Sequence, residues 1–311
     1  MNDTSPNLIS IIIPCRNSEK HIGSLIDHIR SLHVPEGWDF EIVAGYQESR
    51  DRTLSVLKQK GVKIAFSSEF GPGPARNAAV KSSRGSLLFF IDSDARPVDN
   101  DILLNIVRAA EKLEDFGGLG GPILLDPCQG KNPVAIADHF ACWFNWSGKR
   151  KSGKSRVFQP TTNFILPRKV FETAGGFDPD FRILQDFELQ ERITDLGLNV
   201  YFDSSLPVFH HSRETVAASL RHSWQWGAPF RKAYIRKKQS RMWLFVEKDD
   251  LFFLNLPAIF LRRSSLVLLR SLRVSPLKTF YCLPFLMMTI MAWSLGVAFG
   301  TGQPAPETEN A

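Results

Sequence analysis

The sequence predicts an α/β fold with a mainly parallel β-sheet, followed by helices that associate with a membrane. Three short apolar segments, at residues 10–14, 40–44 and 62–66, alternate with segments whose apolar residues recur at helical spacing. Strands that alternate with helices in this way form parallel sheets, because each helix returns the chain to the same edge. A charge-free segment near the C-terminus, residues 280–300, is long enough to cross a bilayer.

The predicted helices begin with capping residues and carry apolar faces. Ser18 is a candidate N-cap for the first helix, whose apolar face consists of Ile22, Leu25, Ile26 and Ile29. Ser49 or Asp51 is a candidate cap for the second helix. Residues 71–79 contain two glycines and two prolines, which predict an irregular loop that opens a third helix.

The segments after residue 98 predict a helix, a tight turn and a basic loop. Residues 99–113 have helical signals, and the glycine-rich residues 117–122 indicate a turn or a close approach of the backbone. Residues 148–156 are small and basic without periodicity, which indicates a mobile, solvated loop; a flap over an anionic substrate is the alternative. The remaining predicted elements are a turn, a helix and two short strands, at residues 175–181, 185–193, 200–202 and 207–209.

The composition indicates a folded protein with reduced thiols. The 311 residues are 43% hydrophobic and 23% charged, which excludes intrinsic disorder. The four cysteines contain no Cys-x-x-Cys pair, so the sequence predicts neither a disulfide framework nor a zinc site. The net charge of +6 suits an anionic substrate, a membrane surface or nucleic acid and does not choose among them.

Two acidic residues follow the predicted buried strand at residues 87–91. Asp92 and Asp94 stand one residue apart, and in an extended chain such positions point the same way. They fall at the C-terminal end of a strand, where open α/β sheets bind ligands. The pair can therefore hold one hard cation through carboxylate oxygens, the ligands that Mg²⁺ and Mn²⁺ prefer. For the motif taken alone, an Asp-rich turn is the alternative.

Other charged residues stand at predicted helix starts and strand ends. Arg76 lies in the first turn of the third helix, where backbone N–H groups favour anions, so it can add to a phosphate or carboxylate site. An exposed arginine on a surface helix is the alternative. Asp186 lies in the first turn of the helix that starts at residue 185, where acids complement the helix dipole. His210 and His211 follow the last predicted strand and are weak evidence for a metal on their own.

The C-terminal third is aromatic and basic before it becomes apolar. Aromatic residues and cations interleave between residues 220 and 241, which suits nucleic acid or a membrane interface. Residues 251–261 are too short for a span and favour an interfacial or re-entrant helix, with a buried core helix as the alternative. Residues 280–300 predict a transmembrane helix; a buried helix of a soluble domain is the alternative. Basic residues precede this segment and only acidic residues follow it, so the positive-inside rule places the preceding domain in the cytoplasm.

Four motifs, in this order, resemble family 2 glycosyltransferases, which have a GT-A nucleotide-diphospho-sugar transferase fold. Residues 10–17 are similar to the family's first strand and to the loop that lies against the nucleotide. Residues 75–77 resemble its Ala-Arg-Asn segment, and residues 92–94 match its Asp-x-Asp motif. Residues 175–177 and 185–186 resemble its Gly-Gly-Phe … Glu-Asp acceptor motif. The resemblance covers roughly residues 8 to 211.

The resemblance implies an inverting transfer of a sugar from a nucleotide-diphospho-sugar to a hydroxyl of a glycan or lipid-linked acceptor. Mn²⁺ or Mg²⁺ on Asp92 and Asp94 would neutralise the leaving diphosphate. His210 is an implied third ligand for which His211 competes; a structural histidine is the alternative. Asp186 is the implied general base, which takes the proton of the acceptor hydroxyl. The implied nucleotide-binding residues are Pro14, Arg16, Asn17, Glu48, Arg76 and Asp92.

Two positions depart from the family's pattern. Tyr46 and Gln47 stand where the family has an acidic pair, so the usual carboxylate contact to the nucleotide base is missing. Glu48 could substitute from a shifted register, and the donor stays open between a UDP-sugar and a GDP-sugar. Gln185 stands where glutamate is usual, but the implied base, Asp186, is present.

The expected organisation has four parts: a GT-A catalytic domain at 1–215, amphipathic and basic interfacial helices at 216–279, a transmembrane helix at 280–300 and a tail at 301–311. The expected location is the inner (cytoplasmic) membrane. Nucleic acid is not an expected partner, because the basic patch adjoins the predicted span. Two alternatives remain open: a nucleotidyltransferase, and a membrane-bound nucleotide-sugar binding protein without catalysis.

Overall fold

The computed structural model describes residues 4–181, 183–236 and 249–300. The chain divides into two compact units. The first consists of Met1–Leu124 and Gly148–His210, and the second of Leu125–Ser147 and His211–Ala311. Residues 125–147, which the sequence placed in the catalytic domain, therefore group with the C-terminal helices.

The first unit is built on an eight-stranded sheet. Its strands are β1 (Ser5–Cys15), β2 (Asp39–Tyr46), β3 (Lys63–Phe66), β4 (Gly85–Ile91), β6 (Phe116–Gly120), β8 (Gly153–Lys154), β9 (Asn163–Pro167) and β10 (Asn199–Phe202). They lie in the order β3-β2-β1-β4-β9-β6-β10-β8. A second sheet has the order β5-β11-β7 and consists of β5 (Ala95–Pro97), β7 (Ile123–Leu125) and β11 (Val208–His210).

The large sheet is mainly parallel, which confirms the predicted fold class. β1 pairs in parallel with β2 and β4, β2 with β3, and β6 with β10. β9 runs antiparallel between β4 and β6, and the two-residue β8 runs antiparallel to β10. The sequence did not predict β9, because its three apolar residues, 164–166, are too few to show a strand period.

Six helices of the first unit pack around this sheet. They are α1 (Glu19–Arg30), α2 (Thr53–Gln59), α3 (Pro72–Ser82), α4 (Ile102–Ala110), α6 (Arg168–Thr173) and α7 (Gln185–Asp195). The predicted apolar face of α1 is fully buried. α3 begins at Pro72, inside the predicted irregular loop, because proline is tolerated in the first helical turn, where its missing N–H has no intrahelical partner.

The glycine-rich segment at residues 117–122 brings backbones together, as predicted, but as a strand rather than a turn. A Cβ at Gly118 would overlap the ring of Phe164 on the neighbouring strand, and one at Gly121 would overlap the carbonyl of Leu206. These contacts leave no room for a side chain, so the glycines set how closely the strands of this region pack.

The predicted mobile loop at residues 148–156 is wrong in its middle part. Gly153–Lys154 forms β8, and the Arg150 guanidinium lies 4.2 Å from the centre of the Phe202 ring. The Ser152 and Ser204 hydroxyls lie 3.0 Å apart. The sequence could not show this pairing, because a two-residue strand has no period. The cations of the segment are mostly exposed, as predicted, and its role as a flap stays a prediction.

The second unit is helical. It contains α5 (Pro133–Trp143), α8 (Val216–Arg236), α9 (Leu256–Val274), α10 (Pro276–Phe299) and a 3-10 helix at Asp249–Asn255. One apolar cluster joins α5, α9 and α10 through residues such as Phe140, Val267 and Leu286. α8 and α10 approach closely, since a Cβ at Gly227 would overlap the carbonyl of Trp293.

Two helical segments, rather than one, are long and apolar enough to cross a membrane. They are Leu251–Val274 and Pro276–Phe299. The short helix predicted at residues 251–261 is therefore wrong in length: it continues through Arg262, Arg263, Arg270 and Arg273, because arginine is a good helix former and does not end a helix. Lys237, Lys238, Arg241 and residues 301–311, on which the membrane prediction partly depends, lie outside the described residues.

Candidate active site

The predicted site residues of the first unit converge on the C-terminal ends of β1 and β4. Asp92 and Asp94 follow β4 directly, and the loop after β1 carries Arg16 and Asn17. β1 and β4 are parallel neighbours, so both loops leave the same edge of the sheet. The Asp92 and Asp94 side chains are 26% and 30% exposed, which leaves them open to a ligand.

Asp92 is held by two neighbours. Its Oδ1 accepts a hydrogen bond from Arg76 Nη2 at 2.5 Å, and its Oδ2 accepts one from Thr162 Oγ1 at 2.6 Å. Thr162 comes from the segment just before β9, which the sequence did not predict, so its role was missed. Both carboxylate oxygens are engaged, and Asp92 is therefore fixed in place before any ligand arrives.

Arg76 is a buried cation with unused donors. Only 3% of its surface is exposed, and its Nε and Nη1 atoms have no hydrogen-bond partner. Arg76 lies in the first half of α3, whose N-terminus adds its own positive partial charge. A buried guanidinium whose donors are unpaired is costly, so this arrangement favours an anionic ligand at the site. The surface-arginine alternative is wrong, since the side chain is buried.

His210 lies beside Asp94. β11 pairs antiparallel with β5 so that His210 is opposite Ala95, the residue after Asp94. This register places His210 Nε2 3.7 Å from Asp94 Oδ1. His211 begins the second unit and contacts Gln129 there, with 3.1 Å between their Nε2 atoms. Of the two histidines, His210 is thus the one that the sheet register presents to Asp94.

Asp186 is a buried carboxylate at the start of α7. It is 7% exposed, and burial raises its pKa to about 6, although the nearby positive charge of Arg76 acts in the opposite direction. The preceding Gln185 is also buried, and its Oε1 has no hydrogen-bond partner. A Cβ at Gly73 would overlap this Oε1, so the glycine makes room for the amide. A carboxylate that titrates near neutral pH suits proton transfer.

The Ala-Arg-Asn and Gly-Gly-Phe motifs hold each other in place. Asn77 Nδ2 donates to the Phe177 carbonyl at 2.7 Å, and Phe177 N donates to Asn77 Oδ1 at 3.0 Å. Gly175 and Gly176 have φ values of 83° and 71°, in the left-handed region that favours glycine. The sequence suggested no such link, because the two motifs are 100 residues apart.

The loops at the ends of β1 and β2 form a neighbouring polar surface. The Arg16 guanidinium lies 4.4 Å from the centre of the Phe70 ring. Asn17 Oδ1 accepts a hydrogen bond from Arg50 N at 2.9 Å, which joins the two loops. Pro14 is partly buried, whereas Glu48 is exposed.

Gln47, which stands where the family has an acidic residue, has a structural role. Its side chain is buried and bonds to the backbone at Glu69 and Gly71, with 3.0 Å from Nε2 to the Gly71 carbonyl. An amide both donates and accepts there, which a carboxylate could not do. The adjacent Glu48 therefore remains the acidic candidate of this loop.

The model of the glycosyl transferase family 2 matches residues 10–177. The chain is 26% identical over 220 residues to an O-antigen biosynthesis protein of Myxococcus xanthus, across 65% of this chain but only 17% of that protein. It is 23% identical over 257 residues, 77% of this chain and 78% of the relative, to a dolichyl N-acetyl-α-D-glucosaminyl phosphate 3-β-D-2,3-diacetamido-2,3-dideoxy-β-D-glucuronosyltransferase of Methanococcus voltae.

Among solved structures, the fold is similar to that of a mannosyltransferase from Pyrobaculum calidifontis in complex with GDP-Man and Mn²⁺. The TM-score is 0.60 at 17% identity, and the similarity covers 94% of this chain and 87% of the other. At this identity the likeness shows the fold, and it confirms the predicted GT-A class.

Proposed function

Since the chain belongs to glycosyl transferase family 2, we propose that it moves a sugar from a nucleotide-diphospho-sugar to an acceptor hydroxyl, with inversion at the sugar carbon. It is a glycosyltransferase, and the donor, the acceptor and the stereochemistry are the proposal. The observation that carries it is the buried Arg76, whose Nε and Nη1 have no partner beside Asp92 at the ligand-binding edge of the sheet.

The donor diphosphate is the anion that would accept hydrogen bonds from the unpartnered Nε and Nη1 of Arg76. A guanidinium offers planar, paired donors that match phosphate oxygens. Asp92 holds the guanidinium through Nη2 alone, so its remaining donors are the ones left for the ligand. Pro14, Arg16, Asn17 and Glu48 then contact the nucleoside. The exposed Phe70 ring, which Arg16 covers, offers the base an apolar surface. Whether the base is uracil or guanine depends on Glu48 and on this surface.

Asp94 and His210 are the residues that would hold a divalent cation, with Asp92 beside them. Their facing atoms lie 3.7 Å apart, close enough for small rotations to bring both onto one ion. A carboxylate and an imidazole suit Mn²⁺, which the mannosyltransferase of Pyrobaculum calidifontis contains, and Mg²⁺ is the alternative. When bound, such an ion neutralises charge on the leaving diphosphate. Direct ligation by Asp92 stays a prediction, because Arg76 and Thr162 already occupy its oxygens.

Asp186 is the general base of the proposed reaction. Its carboxylate takes the proton of the acceptor hydroxyl while that oxygen attacks the sugar carbon and the diphosphate leaves. A pKa of about 6 keeps the group ionised at neutral pH and makes it more basic than an ordinary aspartate. We expect the unpartnered Gln185 Oε1 next to it to accept a hydrogen bond from a second acceptor hydroxyl.

A donor panel with two variants tests this proposal. Donor binding is measured by calorimetry with and without Mn²⁺, and transfer or hydrolysis is measured as nucleotide diphosphate release. We expect Asp94→Ala to abolish the metal-dependent part of donor binding. We expect Asp186→Asn to leave donor binding intact and to lower turnover by about 10²–10⁴-fold, the usual size of general-base catalysis. Equal loss of binding and turnover in Asp186→Asn would contradict the assigned roles.

We propose further that the second unit attaches the enzyme to the inner (cytoplasmic) membrane. Large apolar side chains on α9 and α10 are exposed, among them Leu261, Leu269, Leu277 and Phe280. Arg262 and Arg273 on α9 are also exposed and can meet anionic lipid headgroups. α10 is half buried within the unit, so its outer face is the part left for lipid.

A membrane location suits a lipid-linked or membrane-made glycan acceptor, as the name of the Methanococcus voltae relative also indicates for that protein. Extraction of membranes with alkaline carbonate tests the predicted span: retention in the pellet supports a transmembrane helix, whereas release contradicts it. Protease digestion of sealed, inverted membrane vesicles then tests the predicted cytoplasmic side. The cytoplasmic face of such vesicles points outward, so the catalytic unit is cut if it is cytoplasmic and protected if it is not.

A further inference from the structure

The second unit contains three metal-binding side chains that the proposed sugar transfer does not use. Asp138 and Cys142 lie one turn apart on α5, and His222 lies on α8. One ligand atom of each side chain falls within 4.8 Å of the other two. The set combines an oxygen, a sulfur and a nitrogen ligand, which is a different chemistry from that of Asp92 and Asp94.

The distances within this group suit a tetrahedral ion. Cys142 Sγ lies 4.0 Å from His222 Nδ1, and Asp138 Oδ1 lies 3.6 Å from the same nitrogen. Around zinc, bond lengths near 2.3 Å for sulfur and 2.0–2.1 Å for nitrogen or oxygen give ligand separations of about 3.6 and 3.4 Å. These two separations are larger by a few tenths of an ångström, and the third pair, Asp138 and Cys142, lies within 4.8 Å, so all three ligand atoms are close enough for side-chain rotation to bring them onto one ion.

Asp138 is oriented toward this group by its own hydrogen bonds. It is 1% exposed, and its Oδ1 accepts from Ser219 Oγ at 2.9 Å while its Oδ2 accepts from Arg213 N at 3.2 Å. These two hydrogen bonds fix the orientation of the carboxylate, as outer hydrogen bonds do for the ligands of metal sites.

The charges of the group also favour a divalent cation. Metal binding displaces the proton of the Cys142 thiol to solvent and leaves a thiolate, a carboxylate and a neutral imidazole. These ligands carry two negative charges, which an ion of charge +2 neutralises, so the buried site as a whole has no net charge.

We propose that Asp138, Cys142 and His222 bind one Zn²⁺ ion, which joins α5 to α8 in the second unit. The fourth position of the tetrahedron is left to water or to another ligand. Mg²⁺ and Mn²⁺ are excluded by the thiolate, since they prefer oxygen ligands. The site is separate in chemistry from the cation expected at Asp94.

Cobalt titration of the full-length chain in detergent, after removal of metals with a chelator, tests this site. Co²⁺ replaces zinc and shows an absorption band when a thiolate binds it. We expect one equivalent of Co²⁺ to give this band, and one equivalent of Zn²⁺ to remove it. We expect Cys142→Ser to lose the band and to weaken Zn²⁺ binding by at least about tenfold, since the loss of even an outer-shell partner costs that much.

Two matched variants make the result specific. Cys128→Ser removes the thiol of the other cysteine-containing group among the described residues, Asp126, Cys128 and His211, and should keep the band. Asp94→Ala should keep it as well. The proposal is overturned if the wild type shows no stoichiometric band, if the band survives in Cys142→Ser, or if it is lost in Cys128→Ser instead. His222→Gln, checked for native helix content by circular dichroism, gives a second ligand variant with the same expected loss.

Discussion

The two units bring functional side chains together in different ways. In the first, Asp92 and Asp94 follow one strand and Arg76 lies in the first half of a helix only sixteen residues earlier, so the site leaves a short, ordered pattern in the sequence. In the second, Cys142 and His222 meet across 80 residues on two helices. A strand end presents every second residue to one site, so its ligands stand close together in the sequence. A helix presents every third or fourth residue, and helix packing decides which residues of two helices meet. Sites of the first kind are therefore easier to predict.

The largest effect that we expect from a substitution that tests this difference is a loss of stability in the helical unit. Gly227→Val should lower the free energy of unfolding of the second unit by about 3 kcal/mol, because its side chain would overlap the Trp293 carbonyl and force α8 from α10. Unfolding in detergent, followed by intrinsic tryptophan fluorescence, measures this; most of the seven tryptophans lie in the second unit. The control is Ala217→Val at an exposed position of the same helix, which should cost only about 0.5 kcal/mol. Equal losses would contradict the close packing.

A smaller effect is expected at the sheet site. Arg76→Met keeps the length of the buried side chain but removes the two unpartnered donors, so we expect donor affinity to fall by about 2 kcal/mol, roughly thirtyfold. Calorimetric titration with the donor measures it. Arg168→Met is the matched control: Arg168 is also buried, but it donates to Gly85 and Ser83, so its loss should lower stability and leave donor affinity unchanged. Unchanged affinity in Arg76→Met would show that the anion binds elsewhere.

Much of the first unit was predictable because local signals agree with its fold. Residues 10–14 and 87–91 are apolar at nearly every position and became β1 and β4, and the acids after β4 lie where a parallel sheet binds ligands. Thr162 could not be predicted, because its partner Asp92 is 70 residues away and nothing local marks a threonine as a hydrogen-bond donor. Gln47 is a different case, since the sequence showed that an acid was absent but not what the amide does.

The helical unit was predicted less completely for a related reason. Residues 280–300 were predicted to be a helix from composition alone, because α10 is apolar on all sides and its apolar residues are consecutive in the sequence. The extension of α9 to Val274 was missed because the cluster of arginines after residue 261 interrupts the apolar segment, as a loop between two helices would. The absence of Cys-x-x-Cys predicted no zinc site, and that prediction stands untested; the side chains of the site proposed above, Asp138, Cys142 and His222, come together only when the helices pack. Spacing rules detect metal sites in loops and fail for ligands on separate helices.

The smallest effect concerns the titration of Asp186. A buried base with a pKa of about 6 is ionised, and active, above that pH, and it gains a proton as the pH falls through 6. Turnover should therefore be about tenfold lower at pH 5 than at pH 7.5, a loss of about 1.4 kcal/mol in the free energy of activation. An ordinary aspartate, with a pKa of about 3.9, would keep nearly full activity at pH 5.

Donor binding separates this effect from a general loss of the site. The base does not hold the donor in the proposed mechanism, so donor affinity measured without the divalent cation should change little between pH 7.5 and pH 5, while turnover falls. The cation is left out of this measurement because its own binding depends on pH. A turnover profile that stays flat to pH 5 would mean that Asp186 does not take the proton. If donor affinity instead falls in parallel with turnover, the titrating group lies on the nucleotide side, near Asp92 and Arg76. The donor and acceptor parts of the site would then not be separate in the way that we propose.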